Sequence, residues 1–154
     1  MHLFLDCEFN GWNDKGTGEL ISMALVSSDG KYEFYEVVGC VNPNLFVTQH
    51  VIPVLGKEPI LQNEFCRKLV HFLRVVDSQT PETITIVADY PSDIEVFTRA
   101  LLLGPGQCLN IPVLTFLLDL SLTTKNSMIL HNALEDARAL SRDYVLKQAA
   151  QIVS

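Results

Sequence analysis

Two acids separated by one residue, Asp6 and Glu8, close a short apolar run, Leu3-Phe4-Leu5, near the start of the chain. In a β-strand, side chains two apart share a face, so both carboxylates would project side by side. Like charges held this close resist ionisation unless a cation bridges them. Hard carboxylate oxygens suit Mg²⁺ or Mn²⁺. So short a pattern recurs often, and alone it reads more readily as a solvated strand end. A third acid, Asp93, opens a helix-like segment that follows the β-branched stretch Thr83 to Ala88. Acids are favoured in a first helical turn for dipole reasons alone. Asp89 is a rival: it stands right after the strand and could bind metal or cap the turn made with Pro91.

The segment His131-Asn132-Ala133-Leu134-Glu135-Asp136-Ala137 is more specific. It places a histidine, able to take a proton, just before the last helix, and Asp136 in that helix's second turn. Ala133 and Ala137 are small enough to let the helix approach a sheet closely and bring Asp136 near the strand ends. The plain alternative is a surface histidine and an ordinary helical acid. The three elements together say more than any one. They run in the order DxE, D, HxxxxD, each at an expected strand end or helix start.

The elements that must position these groups follow from periodicity. His2 to Glu8 reads as a strand buried on both faces. Phe9 to Gly18 is a loop rich in Gly, Asn and Asp. Leu20 to Ser27 and Tyr32 to Val38 read as a hairpin about the turn Ser28-Asp29-Gly30-Lys31, antiparallel and next to the first strand. Asn42 to Pro59 reads as irregular, broken by Pro43, Pro53, Gly56 and Pro59. Gln62 to Val76 is amphipathic, with Phe65, Leu69, Phe72, Leu73 and Val76 at helical spacing. A strand over Thr83 to Ala88 precedes a helix over Ser92 to Leu103, with Ser92 and Glu95 as its capping box. Ile111 to Leu118 is a fifth strand. Asn132 to Val153 is the last helix, with Asn132 and Glu135 as its N-terminal box. The order predicts one α/β domain over residues 1–154, a mixed central sheet with helices on its faces.

Composition narrows the function. The 154 residues suit a single domain, and 48% hydrophobic content marks it as globular. A net charge of −7 argues against a protein that coats duplex nucleic acid with a broad basic face. It does not argue against one that grips a strand end through bound cations. The apolar runs are too short to cross a bilayer, and no signal peptide is readable, so no membrane role is expected. Cys7, Cys40, Cys66 and Cys108 form no CxxC pair. They read as reduced, mostly buried thiols of a cytoplasmic protein rather than a zinc site.

On these motifs the chain resembles the DEDDh 3′-to-5′ exonucleases, the superfamily of ribonuclease T and the proofreading exonucleases. Asp6 and Glu8 match the family's first motif, Asp93 with Phe97 its second, and His131, Ala133, Asp136 and Ala137 the third, HxAxxDA. The resemblance runs from residue 3 to about 150. The stretch Phe4 to Gly11, followed by Gly18-Glu19-Leu20-Ile21-Ser22, is similar to a small phage and bacterial exoribonuclease-like group. Two departures stand out. Phe9-Asn10-Gly11-Trp12 replaces the usual Thr-Thr-Gly-Leu, and Asp89-Tyr90 replaces the usual His-Asn ahead of the second aspartate.

The resemblance implies a ribonuclease-H-like fold with a five-stranded mixed sheet. It implies two Mg²⁺ or Mn²⁺ ions per site, held by Asp6, Glu8, Asp93 and Asp136, with His131 as general base. The substrate would be a single-stranded 3′ end, RNA favoured over DNA, and the product nucleoside 5′-monophosphates. Phe9, Asn10, Gly11 and Trp12 would hold the last nucleotides, Trp12 by stacking. Lys15, Lys125, Arg138 and Arg142 are candidate phosphate contacts. A homodimer is implied by analogy. The alternatives are an exodeoxyribonuclease of the same chemistry, a catalytically inactive nucleic-acid-binding relative, and another enzyme type on this fold.

Overall fold

The computed structural model describes residues 1–13 and 16–153. Lys15 lies outside the described residues. Five strands form the central sheet: β1 (His2–Phe9), β2 (Leu20–Ser27), β3 (Glu33–Val37), β4 (Ile84–Ala88) and β5 (Leu114–Leu118). Their order is β3-β2-β1-β4-β5. The first three are antiparallel, with Asp6 opposite Ala24 and Glu8 opposite Ser22. β1, β4 and β5 run parallel, with Leu3 beside Ile86 and Ile86 beside Phe116. This mixed sheet, flanked by helices, has the ribonuclease-H-like arrangement that the sequence predicts. Because β1 and β4 are parallel, Asp6 and Glu8 end at the same sheet edge as Ala88 and the helix that follows it.

Alternation along β1 sorts its side chains between two cores. Leu3, Leu5 and Cys7 face the helices α1 (Gln62–Gln79) and α2 (Pro91–Ala100), where Phe65, Leu69, Leu73, Val96 and Phe97 are buried. Each such large apolar side chain contributes about 1.5–3 kcal/mol on leaving water. Phe4 faces the other way, toward Leu140 on α3 (Ala133–Val153). Asp6 and Glu8 share that side. Ala133 and Ala137 pack on Ala24 and Val26, a buried contact of small side chains flanked by Tyr35 and Leu134.

Several expectations shift. Ser92 is not a cap: Tyr90 is, Pro91 takes the first helical position, and no side-chain cap bond forms. α2 stops at Ala100, and Leu102–Gly104 pairs instead with Gln107–Cys108. β5 begins after Pro112, which has no N–H to give a ladder. The segment read as irregular holds a π-turn over Val47–Val51 and a 3₁₀ turn over Ile52–Val54. Both lie over Ile21 and Val37 through buried Val47, Val51 and Leu55. Half of the cysteines are buried, not most: Cys7 and Cys66 are, Cys40 is half-buried and Cys108 exposed. Among the described residues no helix is long and apolar enough to cross a membrane.

Candidate metal centre

Three elements meet at the sheet edge. β1 supplies Asp6 and Glu8, and α3 supplies Asp136 from its first turn. One carboxylate oxygen of each lies within 4.8 Å of the other two. α2 supplies Asp93, which is not one of that trio but whose charge reaches Asp6 and Glu8; its Oδ1 accepts the Cys7 N–H at 3.0 Å. Asp6, Asp93 and Asp136 are 9%, 5% and 6% exposed. Carboxylates are almost never so buried without a partner. Yet among the described residues none of the four acids forms an ion pair.

The electrostatics record the strain. Burial first, then the charges of Asp93, Glu8, Asp136 and Asp89, hold the Asp6 carboxyl well above the usual range. Burial, then Asp136 and Asp93, push Glu8 up to about 8. Burial and Asp89 push Asp93 to about 7, against the N–H groups of Cys7 and Asp93 itself. Burial raises Asp136, against the Ser127 hydroxyl and His131. Asp89, half-buried, is raised chiefly by burial, and its charge reaches both Asp6 and Asp93. It stands at the rim of the centre, while the Cys7 N–H holds Asp93 to β1.

His131 precedes α3 in a left-handed conformation, φ 64°, which non-glycine residues adopt rarely. Its N–H thereby donates to Asp136 Oδ2 at 3.0 Å, leaving the buried Oδ1 with no hydrogen-bond partner. Its half-buried ring meets Phe46 edge-on at 5.1 Å, with His50 at 6.4 Å. Asn132 caps α3 by accepting the Glu135 N–H at 3.2 Å, and donates to the Val54 carbonyl at 2.7 Å. The reciprocal half of the expected box is missing, because Glu135 turns to Arg138.

The loop after β1 lies beside the acids. Phe9 is half-buried against the main core and meets Trp12 edge-on at 5.3 Å. Trp12 is 67% exposed. Gly11 has φ 67°. Asn10 uses its amide within the chain, donating to the Asn42 carbonyl and accepting the Asn44 N–H, both at 2.9 Å. Of the cations proposed for phosphate, Arg138 is clamped by Glu33 and Glu135, and Arg142 donates to the Asn126 carbonyl. The sequence reading missed Phe46 and His50. Their signal was the apolar pair Val47 and Val51, four apart, hidden among prolines.

No family model and no curated protein matches this chain. The fold and the centre therefore carry the assignment: an α/β protein of ribonuclease-H-like arrangement whose buried, cation-poor carboxylates offer hard oxygen ligands.

Proposed function

We propose that this protein is a metal-dependent 3′-to-5′ exonuclease of the DEDDh kind, acting on single-stranded 3′ ends, RNA in preference to DNA. One observation carries the reading: acids from the two ends of the chain, Asp6, Glu8 and Asp136, meet within 4.8 Å. The donor set fits divalent cations. It is all carboxylate and like-charged, buried at Asp6, Asp93 and Asp136 and half-buried at Glu8, and Asp136 Oδ1 has no hydrogen-bond partner. Asp6, Glu8, Asp93 and Asp136 would hold two Mg²⁺ or Mn²⁺ ions. Bound there, such ions supply the positive charge that activates water and stabilises the leaving 3′ oxygen.

The chain's own groups do the rest. Asp93, tied to the Cys7 N–H, and Asp136, tied to the His131 N–H, are fixed before any ligand arrives. The His131 imidazole is the proton acceptor for the attacking water. Trp12 offers a face for stacking the terminal base, with Phe9 behind it and Gly11 turning the loop. The preference for RNA rests on the resemblance of Phe4 to Gly11. Free cysteines support a reduced, cytoplasmic setting as part of the same proposal. The partly exposed edge strand β5, with Phe116, Leu117 and Leu118, supports pairing with a second copy.

The test is release of nucleoside 5′-monophosphates from matched single-stranded RNA and DNA oligonucleotides with Mn²⁺. Metal-dependent release, faster on RNA and abolished in Asp6→Ala and His131→Ala, is expected. Turnover that survives both substitutions would rule out this centre. Equal rates would remove the RNA preference, since the 2′-hydroxyl is what distinguishes the two.

A further inference from the structure

One face of α2 is fastened to the loop that displays Trp12. Ser92, Glu95 and Arg99 recur at spacings of three and four, so they lie on one side of the helix. The Ser92 hydroxyl accepts the Trp12 indole N–H at 3.3 Å. Glu95 Oε1 accepts the Thr17 N–H at 3.4 Å. Arg99 donates to the Thr17 carbonyl at 2.9 Å and to the Gly18 carbonyl, and Glu95 braces it at 3.4 Å. The loop then closes on itself: Trp12 pairs with Thr17, and the Gly18 N–H donates to the Gly11 carbonyl at 2.6 Å. A Cβ at Gly18 would stand 2.4 Å from the Asn10 carbonyl oxygen, so the closure requires glycine there.

The Ser92–Trp12 bond does not serve burial, since Trp12 stays largely in solvent while Thr17, held by Glu95 and Arg99, is buried. Nor is the half-exposed Arg99–Glu95 pair a strong source of stability. What Arg99 supplies is direction, a planar fork on two successive carbonyls. Asp93, next to Ser92 in the first turn of α2, is tied to β1 through Cys7.

We propose that Arg99, with Glu95 and Ser92, is a positioning set that fixes Trp12 relative to Asp93. One rigid helix then places both the stacking ring and a carboxylate of the metal centre. The spacing between base and scissile phosphate is set by α2 rather than by the loop. This rests on reading Trp12 as a platform for single-stranded nucleic acid.

Trp12 is the single tryptophan of the chain, so its emission reports the loop alone. In Arg99→Ala, Trp12 anisotropy falls and acrylamide quenching rises. KM for a single-stranded oligonucleotide rises about tenfold, part of one stacking interaction, while kcat holds. Ser92→Ala, a smaller change, shifts Trp12 emission without altering helix content. Arg67→Ala removes the same charge from the exposed side of α1 and leaves the Trp12 signal as in the parent. Trp12 emission and anisotropy identical to the parent in both Arg99→Ala and Ser92→Ala would overturn the proposal, as would kcat falling with KM unchanged. If the parent hydrolyses nothing, the nuclease reading alone fails. Oligonucleotide quenching of Trp12 without metal, weakened in Arg99→Ala, still decides the role of α2.

Discussion

Glu8 gives the most direct physical test of the centre. Its carboxyl stands at about 8 in the folded chain against 4.5 as the ordinary value. A folded-state pKa raised above the unfolded one means that the folded form binds more protons between the two values. Stability is then full below about pH 4.5 and is lost as pH climbs toward 8. At pH 7 the unfolded carboxyl is ionised and folding must recover its proton across roughly 2.5 pH units, which costs about 3 kcal/mol. In a chain of this size that is about 6–12 °C in Tm. Asp6, Asp93 and Asp136 move in the same direction, but all share one field, so their costs do not sum. Acids whose pKa is lowered, Asp29, Glu33, Glu36, Glu82 and Asp119, contribute fully above about pH 5 and add no slope beyond it. His2, lowered chiefly by burial, opposes the trend only up to about pH 6.5. The clean window is therefore about pH 6.5 to 8.

The assay is differential scanning calorimetry of the chelated protein across that window. Tm of the parent should fall with pH, and Glu8→Gln should be more stable at pH 8 with a flatter profile. Saturating Mn²⁺ at pH 8 should restore the parent, by about 2.7 kcal/mol at a hundred times Kd, and restore the variant less. A Tm that stays level or rises from pH 6.5 to 8, with Glu8→Gln no more stable, would refute the crowding of charge argued here.

Three further outcomes are expected. His131→Ala should lower kcat by about 10²–10⁴-fold with KM little changed, measured by mononucleotide release under saturating oligonucleotide. Trp12→Ala should weaken single-strand binding by about 1–3 kcal/mol in a fluorescence-polarisation titration, and leave urea stability within about 0.5 kcal/mol. Asn132→Ala, which removes both the cap to Glu135 and the bond to Val54, should cost about 1–2 kcal/mol in urea denaturation.

What could be read from residues alone was whatever local periodicity encodes. The run Leu3 to Leu5, ending in two acids at an alternate spacing, is enough to place β1 and the face its carboxylates share. Phe65, Leu69, Leu73 and Val76 likewise announce α1. What escaped depends on contacts across the fold. Ser92 and Glu95 have the spacing of a capping box, but the loop from Trp12 to Thr17 claims both side chains. Asp89 and Asp93 differ little in sequence; a backbone N–H on another strand distinguishes them. The spacing of Val47 and Val51 hints at the turns over 47–54, but that these valines find Ile21 and Val37, and that Phe46 and His50 then flank His131, are contacts across the fold.

The left-handed backbone at His131 separates two duties that one residue performs. Its amide anchors the Asp136 carboxylate whatever side chain is attached, and its ring alone can accept a proton. Glycine at that position would relax the dihedral and keep the anchor while deleting the ring. The cage could then remain intact around a silenced base, and imidazole from solution would have a vacancy of the right chemistry to fill.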